Sequence, residues 1–282
     1  MARVNRVAII GLGLIGGSLG MALRRRRLAK TIVGYSRKPS TLRRAKQARA
    51  IDVGTTNLRA AVRDADLIVL ATPVDAIVPF AKQVARYCRR GAILTDVGST
   101  KVRIVRQLER SLPAYASFVG GHPIAGSERR GIEAASADLF TGALYVVTPT
   151  PQTHRGALPK VIRFWKPLVK KVITMSPQNH DRLFAATSHL PHLVAACLAG
   201  AIPAQALSSA APSFLEMTRL AKSDPELWDD IFLSNRREVI RALDRFHRQC
   251  HVLRKLLTGS RRAELRRFLA NAKAKRDALH DS

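Results

Sequence analysis

Short apolar runs alternate with amphipathic segments over the first half of the chain. The runs are short and rich in valine and isoleucine, as in VAII at 7–10, which is typical of single strands. We predict strands at 7–10, 31–35, 66–71, 92–95, 143–148 and 172–174, with helices that begin near 14, 39, 75, 101 and 158. Apolar strands that alternate with helices form parallel sheets covered on both faces. The pattern therefore predicts an α/β fold with a doubly wound sheet.

The turn-rich segment TPTPQT, at 148–153, is a candidate hinge. After one more helix–strand pair the pattern is helical, and Ser176 followed by Pro177 is a typical helix start. The segment SDPE at 223–226 predicts another start, for a helix that runs towards 257, and a basic helix follows from about 261. We therefore expect two domains, 1–150 and 151–282, the second mainly helical.

The net charge of +28 comes from 48 lysines and arginines against 20 acidic residues. Such a field attracts polyanions whatever their sequence. Aromatic residues make up only 5% of the chain, and they do not interleave with the basic residues as base-stacking surfaces require. We therefore expect a solvated, arginine-rich surface that helps to draw in anionic small molecules, and no nucleic-acid partner.

The apolar segments do not predict a membrane protein. The N-terminus has no signal-like hydrophobic region, and the longest apolar stretch, 185–204, is interrupted by His189, Pro191 and His192. The three cysteines are widely spaced and form no CxxC pair, which argues against a zinc framework. We expect a cytoplasmic protein without a metal site.

A glycine motif, Gly11-x-Gly13-x-x-Gly16, lies between the first predicted strand and the first predicted helix. In that context it indicates a Rossmann-type dinucleotide site, because the glycines allow a tight turn and let the helix N-terminus approach a pyrophosphate. The next strand ends in Ser36 and Arg37, with no carboxylate for a ribose 2′-hydroxyl. Serine and arginine could hold a 2′-phosphate instead, so we predict NADP in preference to NAD. The expected cofactor-binding residues are Gly11, Gly13, Leu14, Ile15, Gly16, Ser36, Arg37, Thr72 and Pro73.

His122 is the candidate general base of such a redox site. It lies in the stretch GGHPIAGSE at 120–128, where we predict a glycine-lined turn after a strand, at the sheet edge where ligands bind. Histidine has an unperturbed pKa of about 6.5, which suits proton transfer near neutral pH. Ser99 follows the preceding strand and could orient His122 or the substrate hydroxyl, or cap the next helix.

Seven motifs occur in order along the chain. They are GLGLIGGS at 11–18, DVGSTK at 96–101, GGHPIAGSE at 120–128, DLF at 138–140, SPQNHD at 176–181, TSHLPH at 187–192 and TRLAKSDPELW at 218–228. Together they resemble the prephenate/arogenate dehydrogenase family of tyrosine biosynthesis. The match covers roughly residues 5–258, and GGHPIAG followed by SHLPH is far more specific than a glycine fingerprint.

The resemblance implies NAD(P)-dependent oxidative decarboxylation of prephenate, arogenate or both, to 4-hydroxyphenylpyruvate or tyrosine. It implies that His122 is the base and that Ser99 supports it. Four residues would bind substrate: Arg219, His192, Ser127 and Trp228. The family's GGGFRD-like stretch is replaced here by residues 211–217, without the basic residue expected near Leu215. The resemblance also implies that the helical domain forms a homodimer.

Other interpretations of single residues stay open. Trp228 is as consistent with a core position as with a pocket, and His180 would support the interdomain cleft. His189 and His192 lie three residues apart on a predicted helix, but spacing places no third metal ligand, so a packed or substrate-facing pair is expected. A β-hydroxyacid dehydrogenase of similar build would rely on a lysine, for which Lys222 is the candidate. A catalytically inactive NADP sensor would bind nucleic acid through the basic surface.

Overall fold

The computed structural model of the chain describes residues 4–127 and 129–279. Its strands are β1 (Val4–Ile10), β2 (Ala29–Tyr35), β3 (Val53–Thr55), β4 (Leu67–Leu70), β5 (Ile93–Asp96), β6 (Ser117–Ile124), β7 (Leu144–Thr148) and β8 (Lys171–Thr174). Within the described residues these strands form one sheet in the order β3-β2-β1-β4-β5-β6-β7-β8. Every pairing is parallel except that of β6 with β7. The predicted doubly wound α/β fold is therefore confirmed.

Helices cover both faces of the sheet and then make up the rest of the described chain. They are α1 (Leu14–Arg25), α2 (Pro39–Gln47), α3 (Leu58–Val62), α4 (Val74–Ala85), α5 (Val102–Ser111), α6 (Leu158–Trp165), α7 (Pro177–Phe184), α8 (Leu190–Ala201), α9 (Pro212–Met217), α10 (Pro225–Ser234), α11 (Arg236–Thr258) and α12 (Arg262–Asp277). The sequence pattern missed β3 and α3, both of which are very short.

Successive residues of the central strands enter opposite apolar layers. Ile9 packs into the layer that contains Trp165, whereas Ile10 packs with Leu70 into the other layer. This alternation explains why β1 and β4 read as continuous apolar runs. The chain moves outward from β1 to β3 and returns at β4 on the other side, so the order reverses between β1 and β4. Open α/β sheets bind ligands at such a reversal, outside the carboxyl ends of the strands.

The turn predicted around His122 is wrong. His122 lies inside β6, where its Cα pairs with that of Val146 in β7. Gly121 serves close packing instead of a turn, because a Cβ atom there would lie 1.7 Å from the hydroxyl oxygen of Tyr145. His122 is thus held by strand pairing and not by a loop.

The helix predicted from 225 to 257 is also interrupted. Asn235 separates α10 from α11, with φ −113° and ψ 25°, and its side chain is buried. Its amide nitrogen donates to the carbonyl oxygen of Asp181 at 2.8 Å, a bond to a residue of α7. The break therefore follows from a tertiary hydrogen bond that a helical periodicity does not reveal.

The predicted start at Ser176 is confirmed, since its hydroxyl accepts the N–H of Asn179 at 3.2 Å. From Pro177 the chain continues through a π-helical turn, Ala185–His189, into α8. Such turns insert an extra residue into a helix and are frequent at functional sites. Among described residues this helix, Pro177–Ala201, is the one long and apolar enough to cross a membrane by length and composition, a test that packed helices of soluble proteins also pass.

The chain divides after Arg236 into two compact units, Met1–Arg236 and Arg237–Ser282. The first contains the sheet and every residue predicted for the site. The second contains α12 and nearly all of α11. The domain boundary predicted at 150 stays a prediction, and β8 joins the sheet beyond that point through parallel pairing with β7.

Candidate active site

The chain turns sharply after β1, at Gly11. This glycine has a φ of +98°, which side chains rarely adopt, and a Cβ there would lie 2.4 Å from the carbonyl oxygen of Ala71. A Cβ on Gly16 would lie 2.0 Å from the carbonyl oxygen of Gly11. The turn and the first residues of α1 therefore pack too closely for any side chain at either position.

The first turn of α1 faces open space. Gly13 precedes the helix without a side-chain cap, and a Cβ there would meet nothing within 4 Å among the described residues. The N–H groups of the first turn, which include those of Leu14 and Ile15, have no partner within the helix. The Thr72 hydroxyl is buried beside this turn, without a hydrogen-bond partner in the described part of the chain. These free donors fit the pyrophosphate of a dinucleotide.

The end of β2 presents a serine and an arginine at the same edge of the sheet. Ser36 is half-buried, and its hydroxyl accepts the N–H of Lys38 at 3.2 Å. Arg37 is exposed, and no hydrogen bond or ion pair engages its guanidinium within residues 4–127 and 129–279. Pro73 is exposed just before α4. The structure thus brings all the predicted cofactor-binding residues to the carboxyl ends of β1, β2 and β4.

A buried ion pair holds the loop after β5 against β6. The Lys101 ammonium contacts the Asp96 carboxylate and donates to the carbonyl oxygen of Gly121 at 2.9 Å. Asp96 Oδ1 accepts the N–H of Gly121 at 3.0 Å. Both backbone groups of Gly121 are therefore engaged, which fixes the position of the next residue, His122.

The imidazole of His122 is bonded to a second histidine from α7. His122 Nδ1 lies 2.9 Å from His180 Nε2, and His180 Nδ1 lies 2.8 Å from Asp181 Oδ1. Phe184 packs edge-on against the His122 ring, with centroids 5.3 Å apart. Because Nδ1 is engaged, Nε2 is the ring nitrogen of His122 that remains for an incoming hydroxyl.

Burial keeps these rings neutral near pH 7. It lowers the pKa of His122 well below its usual 6.5, and the neighbouring His180, Lys101 and His189 act in the same direction. Burial likewise lowers the pKa of His180 to about 2 and that of His189 to about 4. A neutral imidazole has one nitrogen free to accept a proton, which is what a general base requires.

Ser99 lies half-buried in the loop between β5 and α5, next to this network. Its hydroxyl forms no hydrogen bond with any described residue, so the bond that orients His122 comes from His180. Nor does Ser99 cap α5. That helix begins at Val102, and the carboxylate of Asp181 accepts the N–H groups of Lys101 and Val102 at 2.7 and 2.9 Å.

A second group of predicted residues surrounds the start of α8. The His192 ring stacks on Trp228 with centroids 3.4 Å apart, and its Nδ1 donates to the carbonyl oxygen of Ser188 at 2.9 Å. Burial lowers the pKa of His192, and the charge of the exposed Arg219 acts in the same direction. The structure therefore brings Arg219, His192 and Trp228 together. Ser127 is exposed after β6, and its hydroxyl accepts the N–H of Arg129 at 3.0 Å.

The histidine pair at 189 and 192 does not share a ligand in the described structure. His189 Nδ1 lies 3.3 Å from the side-chain amide nitrogen of Asn235, whereas His192 bonds to a backbone carbonyl. Among described residues no group of three His, Cys, Asp or Glu side chains is arranged to hold a metal ion.

The sequence analysis gave no role to four residues that hold β6 and α7 in place around His122: Asp96, Lys101, Asp181 and Asn235. Two of them, Asp96 and Lys101, stand at the ends of the DVGSTK motif, and Asp181 ends SPQNHD. A charged residue in an otherwise unusual motif was the signal that could have identified these three, whereas Asn235 is uncharged and lies in none of the seven motifs.

Two domain profiles match nearly the whole chain. Residues 19–174 match the family described as "Prephenate dehydrogenase, nucleotide-binding domain", and residues 176–271 match "Prephenate dehydrogenase, dimerization domain". The prephenate dehydrogenase of Bacillus subtilis is 32% identical over 282 residues, which are 98% of this chain and 76% of that protein.

Solved structures agree with this match. The prephenate dehydrogenase of Aquifex aeolicus, in complex with hydroxyphenyl propionate and NAD+, superposes with a TM-score of 0.91 at 34% identity, over 99% of both chains. The arogenate dehydrogenase of Synechocystis superposes with a TM-score of 0.83 at 31% identity, over 98% of this chain and all of the other. The chain belongs to the prephenate dehydrogenase family.

Proposed function

We propose that this protein is an NAD(P)-dependent dehydrogenase that oxidatively decarboxylates prephenate, arogenate or both. The observation that carries the proposal is the neutral His122 ring, which bonds His180 through Nδ1 and whose Nε2 bonds no described residue, at the edge of the sheet that also carries the glycine turn. The family membership supports the same reaction, and the named activities of its relatives support the choice of substrates.

When bound, the nicotinamide supplies the hydride acceptor. His122 Nε2 accepts the proton of the ring hydroxyl as the hydride leaves the same carbon, which becomes a carbonyl carbon. Loss of the ring carboxylate as CO2 then aromatises the product. Ser99, in the adjoining loop, is proposed to bond the substrate hydroxyl, since its own hydroxyl makes no bond elsewhere in the described chain.

Arg219 and His192 are proposed to bind the substrate's carboxylate and side-chain end. A guanidinium offers two parallel donors that match a carboxylate. The Trp228 indole supports the His192 ring from one face. Leu215, where a basic residue was expected, is 60% exposed and supplies no charge, so the second carboxylate would depend on Arg219 alone or on a different residue. Ser127 is a weaker candidate because it is exposed and its hydroxyl already accepts the N–H of Arg129.

NADP is proposed as the preferred cofactor. The support is Arg37, an exposed guanidinium with no protein partner in the described chain, next to Ser36 at the end of β2. A 2′-phosphate would receive charge-assisted hydrogen bonds there, whereas a 2′-hydroxyl would find no carboxylate.

The protein is proposed to act as a soluble homodimer through its helical part. Residues 176–271 match the dimerization domain of the family. The apolar helix α8 leaves Ala196 and Cys197 exposed, and Leu207, Leu215 and Met217 after it are more than half exposed. Apolar surface of this kind is typical of a protein–protein contact. Burial of this helix by a second copy would account for its membrane-like composition.

The alternative β-hydroxyacid dehydrogenase chemistry finds less support. Lys222, its candidate lysine, is exposed at the end of a short 3-10 helix, Arg219–Lys222. The buried lysine of the site, Lys101, is paired with Asp96 instead.

The test is a turnover assay. Purified protein receives prephenate or arogenate with NAD or NADP, and the absorbance of the reduced cofactor is followed. His122→Asn should lower kcat by 10²-fold or more while cofactor affinity stays within about 2-fold, because only the proton acceptor is lost. The matched control, His154→Asn, changes an exposed histidine and should leave turnover intact. Undiminished turnover in His122→Asn would refute the assignment of the base.

A further inference from the structure

Two residues of α7 form a continuous hydrogen-bonded chain with the His122 ring. The first bond joins His122 Nδ1 to His180 Nε2, at 2.9 Å, and the second joins His180 Nδ1 to Asp181 Oδ1, at 2.8 Å. His180 is completely buried, and Asp181 is 2% exposed. Nothing in the reaction proposed above requires either residue to contact the substrate.

The carboxylate of Asp181 determines where the protons lie. Oδ1 accepts the N–H of Lys101 at 2.7 Å, and Oδ2 accepts the N–H of Val102 at 2.9 Å. Burial raises the pKa of Asp181, but these two donors at the N-terminus of α5 and the Lys101 ammonium oppose that shift and favour the ionised carboxylate. Oδ1 therefore acts as an acceptor toward His180 as well.

The tautomers of both histidine rings then follow along the hydrogen bonds, from Asp181 to His122. His180 must carry its proton on Nδ1 to donate to Asp181, and a neutral ring with that proton has a bare Nε2. The shared proton of the next bond must therefore belong to His122 Nδ1. A neutral His122 with a proton on Nδ1 has a bare Nε2, which is the form that accepts a proton from a hydroxyl.

We propose that His180 and Asp181 are positioning residues that hold His122 in the Nδ1–H tautomer, with Nε2 as the proton acceptor. The proposal rests on the function proposed above for its consequence in turnover, but the tautomer itself is a property of the free protein. The proton moves from the substrate hydroxyl to His122 Nε2, and the bond to His180 with the carboxylate behind it stabilises the imidazolium that forms. No proton needs to leave Asp181 or reach it.

The arrangement also affects the pH dependence of turnover. The charged and titratable groups around His122 are His180 and Asp181 of α7, Lys101 before α5 and His189 of the π-helical turn. Within residues 4–127 and 129–279, Asp181 is the anion that reaches the ring through hydrogen bonds, by way of His180. Its neutralisation would make the His122 imidazolium less stable, so the acid limb of kcat would move to lower pH.

Asp181→Asn is the decisive variant, because it keeps the shape of the side chain. An asparagine that keeps its oxygen on the Val102 N–H, the position of Oδ2, turns its NH2 group towards His180, the position of Oδ1. That reverses the donors and leaves His122 with a proton on Nε2. We expect kcat to fall by 10²-fold or more, with cofactor affinity within about 3-fold and the acid limb shifted to lower pH. A kcat within 3-fold of that of the unaltered protein, with the acid limb of its pH profile at the same pH, would overturn the proposal.

Asp181 also tethers α7 to α5, so a purely structural effect must be separated. Ser176→Ala provides the matched control, since it removes the cap of the same helix, a bond of 3.2 Å to Asn179, without touching the chain of three residues. This control should lower the melting temperature and leave the acid limb in place. A shift of the limb equal to that of Asp181→Asn would indicate that loosening of α7 is the cause, which overturns the proposal.

A second pair of variants covers the case in which Asp181→Asn does not fold. His180→Gln keeps an acceptor that can face His122 Nδ1, and should retain at least ten times the turnover of His180→Met, which has none. Equal turnover of the two would contradict a positioning role for His180.

The tautomer is read directly by nitrogen NMR of protein labelled in histidine, with His122→Asn to assign the signals. The unaltered protein should show a protonated Nδ1 and a bare Nε2 at His122, and a protonated Nε2 there would overturn the proposal. Failure of the proposed function looks different. In that case neither prephenate nor arogenate is turned over, while the His122 signals still show the Nδ1–H form.

Discussion

The ammonium of Lys101 pairs with the carboxylate of Asp96 where neither side chain is exposed to solvent. Burial lowers the pKa of Lys101 and raises that of Asp96, while their mutual attraction opposes both shifts. Each partner also bonds a backbone group of Gly121, one residue before His122. The pair therefore supports the base of the site through the backbone of β6.

Lys101→Met should destabilise the fold strongly, because it leaves the Asp96 carboxylate buried and unpaired. Removal of one partner of a buried ion pair costs about 3–5 kcal/mol of folding free energy. Chemical denaturation measures the loss. The matched control is Arg103→Met, which breaks the exposed pair with Asp75 and should cost less than ~1 kcal/mol. Similar losses in both variants would contradict the role given to burial.

Substitution by alanine should have different effects on stability and cofactor affinity at two glycines of the cofactor turn. A Cβ at Gly13 meets open space, so Gly13→Ala should keep its folding stability but lower cofactor affinity by about 10-fold or more, ~1.4 kcal/mol, by obstructing the pyrophosphate. A Cβ at Gly16 would meet the Gly11 carbonyl oxygen, so Gly16→Ala should cost about 1–3 kcal/mol of stability.

Thermal unfolding with and without NADP, together with direct titration of the cofactor, separates the two effects. If Gly13→Ala bound the cofactor as tightly as the unaltered protein, the pyrophosphate would not approach α1 at this residue.

Arg37→Ala should weaken NADP far more than NAD. Hydrogen bonds to charged groups contribute about 1.5–3 kcal/mol each, so loss of the guanidinium should raise the Kd for NADP by roughly 10- to 100-fold. The Kd for NAD should change less than 2-fold, because no 2′-phosphate is present. Calorimetric titration of both cofactors is the measurement, and Arg43→Ala, on the following helix α2, is the control. Equal losses for both cofactors would refute the 2′-phosphate contact.

Folding stability should fall as the pH drops from about 6.5 to 4. The pKa of His180 is lowered to about 2 and that of His189 to about 4, while the unfolded chain titrates near 6.5. The unfolded state therefore binds more protons in this window, and each buried histidine removes up to ~1.4 kcal/mol of stability per pH unit. His180→Gln should flatten the dependence by about one proton, measured by denaturation at several pH values. An unchanged slope would mean that His180 is protonated in the folded state.

Much of the fold and part of the site followed from local sequence alone. Alternating apolar runs predicted the doubly wound sheet because strands buried on both faces need apolar residues at every position. The glycines at 11, 13 and 16 predicted the cofactor turn because their positions between strand and helix leave few other uses. His122 stood out because an unusual stretch of glycine and proline surrounds a single titratable ring.

Tertiary structure alone decided how that ring is held. His122 and His180 are 58 residues apart in the chain, and a bond over that separation leaves no periodic trace in the sequence. Asn235 interrupts a regular helical pattern because its amide is required by α7, far from it along the chain. The sequence by itself determined which residue types are present at this edge of the sheet. Only the packing of α5, α7 and β6 decided their partners, because burial and hydrogen bonding depend on which elements meet.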